Sequence, residues 1–140
     1  MMNRLFKDRS GSAAVEMALA GPLFLTLLMG VFVGADYMQT HNALRAASSD
    51  VAREVIVAYQ RDNDLTTSQI QEIARGVAVG VPYGLDTDKL TVSAALSGAS
   101  RVTNAQEINL TYTYSMESFV PIVPLPVITM TYARPIFVAI

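Results

Sequence analysis

Glu16 is the only charged residue between Arg9 and Asp36. A carboxylate at the edge of an apolar segment is costly unless a cation pairs with it. If the chain were cut after Gly11, Ser12 would carry a new α-ammonium group. Because residues four apart share a helix face, Glu16 could pair with that amine in its own chain or in a neighbouring chain. The spacing indicates a charge pair created by processing; the alternative is a solvated acid at the membrane surface.

Other residues give little support for catalysis or metal binding. His41 is the only histidine and there is no cysteine, which excludes disulfides, thiol nucleophiles and cysteine zinc sites. Asp86 and Asp88 flank a turn without EF-hand spacing, so capping or solvation of the loop is the better interpretation. Phosphate-binding, dinucleotide-binding and nucleophile-elbow strings do not occur. We therefore expect no catalytic, cofactor-binding or metal-binding residue, no enzyme activity and no small-molecule substrate.

A run of 19 residues without a charged side chain, Met17–Ala35, follows Glu16. It is long enough to cross a bilayer, whose core of about 30 Å requires roughly 20 apolar residues. Arg4, Lys7 and Arg9 precede it, which predicts a cytoplasmic N-terminus and an external remainder. The sequence pI of about 5.2 argues against a basic nucleic-acid-binding protein.

A removed signal peptide is the main alternative to a retained anchor. Its apolar region would be about 7–15 residues long and would end at an A-x-A-like site. The run here is longer and ends in a poor match, Val33–Asp36. Within the anchor, Gly30 and Gly34 form a GxxxG pattern that indicates either close helix packing or only the usual glycine content of spanning helices. Pro22 predicts a helix kink.

The helical pattern continues after the anchor, so we predict one helix over residues 12–61, with 12–35 in the membrane and 36–61 outside it. Its predicted stripe of apolar or small residues is Tyr37, His41, Leu44, Ser48, Val51, Val55 and Ala58.

Residues 62–140 read as a small α+β domain. Ser68 and Gln71 predict a capping box at the start of a short helix. Alternating apolar positions then predict strands near 90–96, 108–116 and 127–132, in an antiparallel sheet. Val120–Pro126 reads as a stiff connection, and Pro135 predicts an edge strand or a bulge.

The string from Gly11 to Leu23, GSAAVEMALAGPL, behind a short basic leader, resembles the start of TadE-like pseudopilins of the tight-adherence (Flp) type IV pilus machinery. His41–Ala47 and Ala52-Arg53 extend the resemblance. Phe or Tyr usually follows the glutamate in such signals, and Met17 stands there instead.

The resemblance implies a leader over residues 1–11 and cleavage between Gly11 and Ser12 by a prepilin peptidase. It also implies that Glu16 is the subunit-pairing acid. The fold it implies is a long pilin-like helix, spanning the membrane with its first half, packed on a small antiparallel sheet with one extra helix. The implied partners are the peptidase, other pseudopilins, the Flp pilin, the inner-membrane assembly platform and lipid.

The sequence, with this resemblance, thus predicts a structural protein: a minor pseudopilin in the bacterial inner membrane with a periplasmic C-terminal domain. In one version of this hypothesis, the protein also becomes part of the pilus. Two alternatives stay open. One is an uncleaved single-span envelope protein with a periplasmic binding domain, and the other is an exported soluble enzyme cut near Ala35.

Overall fold

The computed structural model describes residues 10–61, 63–117 and 126–139. Its elements follow the order α1 (Ser10–Tyr59), α2 (Thr67–Val79), β1 (Leu90–Leu96), β2 (Ala105–Met116) and β3 (Ile128–Ala139). The sheet is antiparallel with strand order β1-β2-β3. The predicted α+β arrangement of a long helix, a short helix and a three-stranded antiparallel sheet is confirmed. Residues 1–9 of the predicted leader and most of the Val120–Pro126 connection lie outside the described residues.

The 50 residues of α1 make it about 75 Å long at 1.5 Å per residue. From Gly11 to Gln39 its side chains are exposed, apart from a few half-buried positions. Thr40 is the first buried residue, and a stripe that includes Leu44, Val51 and Val55 is then completely buried. The predicted stripe is therefore confirmed at its centre, but Tyr37 at its start is 40% exposed because it lies beside an open cleft between α1 and the end of the sheet.

One face of the sheet carries the core. Ile108, Leu110 and Tyr112 on β2, and Ile136 on β3, are buried on the face that packs against the helices. Helix α1 lies mainly over β3, and α2 lies over β1. The buried side chains of α2 are Ile70, Ala74 and Ala78, spaced four residues apart on one helix face.

The start of α2 differs from the predicted one. Thr66, not Ser68, is the N-cap residue, and its capping-box partner is Gln69. The sequence contains two overlapping T/S-x-x-Q strings, and the earlier one lengthens the helix by two residues. It also frees the Gln71 amide to donate a hydrogen bond of 3.3 Å to the backbone carbonyl of Ala94 in β1.

Pro135 lies within β3, which continues to Ala139 and forms one edge of the sheet. It pairs with Asn109. Hydrogen bonds from Ser97 N to Glu107 O and from Ser115 N to Lys89 O show that odd-numbered β2 residues bond to β1. The position opposite Asn109 therefore directs its backbone nitrogen away from β2, so proline costs the ladder no hydrogen bond. The edge-strand interpretation is confirmed.

The outer face of the sheet holds an ion pair whose carboxylate is buried and whose guanidinium is exposed. Glu107 is only 4% exposed, and Arg101 from the β1–β2 loop covers it. Arg101 Nη2 donates to Glu107 Oε1 over 2.7 Å, and the Arg101 backbone N–H donates to Oε2 over 3.1 Å. The guanidinium carbon also lies 5.6 Å from the centroid of the Phe137 ring. These contacts fasten the β1–β2 loop to the sheet.

The hydrogen bonds from Arg101 hold the pKa of Glu107 below its ordinary value, although burial opposes the shift. A lowered folded-state pKa adds stability above the unfolded-state value of about 4.3, and that stability is lost as the pH falls through the folded-state pKa. We therefore expect Glu107→Gln to lower the Tm at neutral pH. The Tm difference from the wild type should shrink below about pH 4. Glu54→Gln, on the exposed face of α1, is the control, and a Tm difference for Glu107→Gln that does not vary with pH would contradict this account.

Truncating a side chain in each half of α1 should separate its two environments. Leu44 is completely buried, whereas Leu27 is 64% exposed. The second half of α1, α2 and the sheet form one folded domain, called the outer domain below. Leu44→Ala is expected to reduce its free energy of unfolding by about 2–5 kcal/mol. Leu27→Ala should change it by less than about 0.5 kcal/mol. Urea unfolding of the full chain in detergent micelles, followed by near-ultraviolet circular dichroism of the core tyrosines, makes the comparison; equal effects would contradict the division.

Candidate processing and assembly surface

The proposed cleavage site lies in the first turns of α1. Gly11, Ser12 and Glu16 are all exposed there. Ser12 Oγ donates a hydrogen bond of 3.2 Å to Glu16 Oε1, so the two residues share a helix face as their spacing predicts. An amine on Ser12 would therefore arise within one helical turn of the Glu16 carboxylate.

The chain's own packing gives no reason for the glycines in this half of α1. A Cβ atom added at Gly11, Gly30 or Gly34 would meet no other atom within 4 Å. Glycine in a helix interior costs about 0.8–1 kcal/mol relative to alanine. Among the described residues nothing packs against these glycines, so a peptidase at Gly11 or a neighbouring helix at Gly30 and Gly34 is compatible with the space beside them. The processing role of Gly11 and the helix-packing role of Gly30 and Gly34 stay predictions.

Pro22 lies inside α1, which continues past it without interruption. Because proline has no N–H, the carbonyl of Ala18 lacks the usual i→i−4 bond at that point. Thr26 Oγ1 donates a hydrogen bond of 2.8 Å to the Pro22 carbonyl one turn later. The predicted kink stays a prediction.

The exposed surface of the first half is strongly apolar. It includes Met17, the residue after the acid, and large side chains on every side of the helix. In the described part of the chain, α1 is the one helix long and apolar enough to cross a membrane. The surface fits lipid or the equivalent helices of other subunits, and the arrangement is consistent with anchoring by a single span.

His41, Asp86 and Asp88 make contacts that are typical of structural residues. The His41 ring makes an edge contact with Tyr132, with centroids 5.8 Å apart. Asp86 accepts a hydrogen bond from the Asp88 backbone N–H and lies 3.8 Å from the Lys89 ammonium. Among residues 10–61, 63–117 and 126–139, no group of three or more His, Asp or Glu side chains could hold a metal ion.

Sequence analysis missed a cleft of about 260 Å³ between α1 and the end of the sheet. It is lined by Met29, Phe32, Val33, Asp36, Tyr37, Met116, Glu117 and Ile128. The two sides of the cleft are about eighty residues apart in the chain. Only the packing of α1 along β3 brings them together, so no local pattern could have revealed it.

Comparison with known proteins gives one match. The model of the TadE-like protein family matches residues 11–53. Neither the curated proteins nor the solved structures contain a significant match to the chain. The matched segment begins at the glycine of the proposed cleavage site, covers the apolar half of α1 and ends within its buried stripe. Over that segment, the chain is similar to the TadE-like protein family.

Proposed function

We propose that this protein is a minor pseudopilin of the tight-adherence pilus, a structural subunit that acts in assembly or priming of the fibre. Similarity to the TadE-like family over residues 11–53 supports a pilin-like protein associated with that machinery. The observation that carries the finer proposal is the division of α1. From Val15 to Leu28 the helix exposes apolar side chains that no described residue covers, and its second half is built into a folded domain.

The mechanism would be packing rather than catalysis. A prepilin peptidase would remove residues 1–11, leaving Ser12 as the N-terminus. The α-ammonium group would pair with Glu16 of the same or a neighbouring subunit, which offsets the cost of holding a carboxylate beside lipid. The free-energy cost of moving α1 out of the bilayer would then be offset by contacts between the α1 helices of neighbouring subunits. Gly30 and Gly34 would permit these helices to approach closely.

The partners in this proposal are the prepilin peptidase, sibling pseudopilins, the Flp pilin and the inner-membrane assembly platform. The protein would lie in the bacterial inner membrane with its N-terminus in the cytoplasm. The proposed layout is a leader over 1–11, a membrane helix over 12–35, its continuation over 36–61 and a periplasmic domain over 62–140. Nucleic acid and small-molecule substrates have no place in it.

The processing step is tested by the intact mass and N-terminal sequence of the protein from native membranes. We expect the chain to begin at Ser12. Gly11→Leu should abolish cleavage, because the larger side chain meets no described residue of the chain and would instead obstruct the peptidase. Gly21→Leu is the matched control, since a Cβ at Gly21 also meets no atom within 4 Å.

The same preparation tests Glu16. Glu16→Gln keeps the size of the side chain and its ability to accept a hydrogen bond from Ser12, and it removes the charge. We expect normal cleavage but loss of co-purification with sibling pseudopilins, whereas Glu54→Gln should behave as the wild type. Normal assembly of Glu16→Gln would remove the pairing role. A full-length wild-type chain would contradict processing and favour an uncleaved envelope protein, and a start near Asp36 would favour a soluble one.

A further inference from the structure

The far end of the sheet lies against the exposed half of α1. The last residue of β2, Met116, pairs with the first residue of β3, Ile128. Both line the cleft whose opposite wall is formed by Met29, Phe32 and Val33 of α1. We call Met116, Glu117, Val127 and Ile128 the sheet tip.

The position of the cleft on α1 fixes the depth of the sheet tip. Phe32 and Val33 belong to the uncharged run that ends at Ala35. Met29 is six residues before Ala35, a distance of about 9 Å along the helix. If the run occupies the hydrocarbon core, then the sheet tip lies near the boundary between hydrocarbon and headgroups, because it faces these turns of the helix across the cleft.

The sheet tip has the amphipathic surface that this depth requires. Val127 is 59% exposed, and Phe32 across the cleft is 60% exposed. Asp36 and Glu117, both exposed, add two carboxylates to the same cleft. Tyr37 beside them is of a residue type enriched at membrane interfaces. Apolar side chains next to acids fit a zwitterionic headgroup that carries an ammonium group.

We propose that the sheet tip is a second membrane-contacting surface, which rests in the headgroup layer of the leaflet on the side of the outer domain. This inference depends on the membrane anchor of the proposed function. The tip and α1 then contact the bilayer at two places, and two contacts fix the tilt of α1 and the domain as one unit relative to the bilayer. The opposite end of the sheet, at the β1–β2 loop, lies about 36 Å away along β2 and would stay in water.

The natural chain has no tryptophan, so single tryptophans report without background. Val127→Trp places the probe on the sheet tip. Val102→Trp is the matched control, because Val102 is also an exposed valine, at 46%, but in the loop at the opposite end. Phe24→Trp marks the middle of the anchor. The full chains are reconstituted at low protein density in phosphatidylcholine and phosphatidylethanolamine vesicles with nitroxide-labelled lipids.

We expect headgroup nitroxides to quench most of the Val127→Trp fluorescence and to leave Val102→Trp unaffected, while mid-chain nitroxides quench Phe24→Trp. Quenching of Phe24→Trp without quenching of Val127→Trp would overturn the inference and leave the anchor intact. Failure to quench Phe24→Trp would instead contradict the anchor itself. A Val127→Trp emission that shifts to the blue only at high protein density, without lipid quenching, would assign the tip to a neighbouring subunit and overturn the lipid contact.

Discussion

The structure depends on one helix that serves two environments. The buried stripe of α1 around Leu44, Val51 and Val55 supplies one wall of the outer domain's core. A domain of this size has few other apolar surfaces with which to cover a sheet. Since the same helix continues as the exposed apolar segment, the domain cannot move independently of the anchor without giving up part of its core.

This coupling gives a physical meaning to the segment that matches the TadE-like family model. Residues 11–53 extend from the glycine at the proposed cleavage site into the buried stripe. They therefore contain the parts that would connect processing, the membrane and the domain. Residues of α2 and the sheet complete the core, and Arg101 covers Glu107 on the face that the helices do not cover.

Much of the fold follows from patterns along the chain. The long helix, the α+β organisation and the strand Leu90–Leu96 are predicted by apolar spacing, because period and burial agree there. Sequence patterns do not decide between two structures that both satisfy the same local pattern. Thr66 and Ser68 both satisfy a capping box, and the contact of Gln71 with Ala94 belongs only to the earlier one. The extent of β3 was missed because Pro135 is compatible with a strand only in a particular register.

The candidate site divides in the same way. The spacing of Ser12 and Glu16 is local, and their hydrogen bond is what helical geometry predicts. The cleft at the sheet tip is not local, because its lining includes Phe32 and Ile128, which are 96 residues apart in the chain. Sequence reasoning finds the first kind of feature from spacing and finds the second only when the packing of α1 on β3 is known.

The central claim is that α1 is continuous and divided between lipid and core. The chain has no cysteine, so single cysteines along α1 can carry spin labels in the full protein in bilayers. Accessibility to dissolved oxygen should be high on all sides of the helix from Met17 to Leu28. Beyond Thr40 it should follow the helical period, with minima at Leu44, Val51 and Val55. Periodic burial within 17–28, or labels accessible to water on all sides between Thr40 and Val55, would contradict the account.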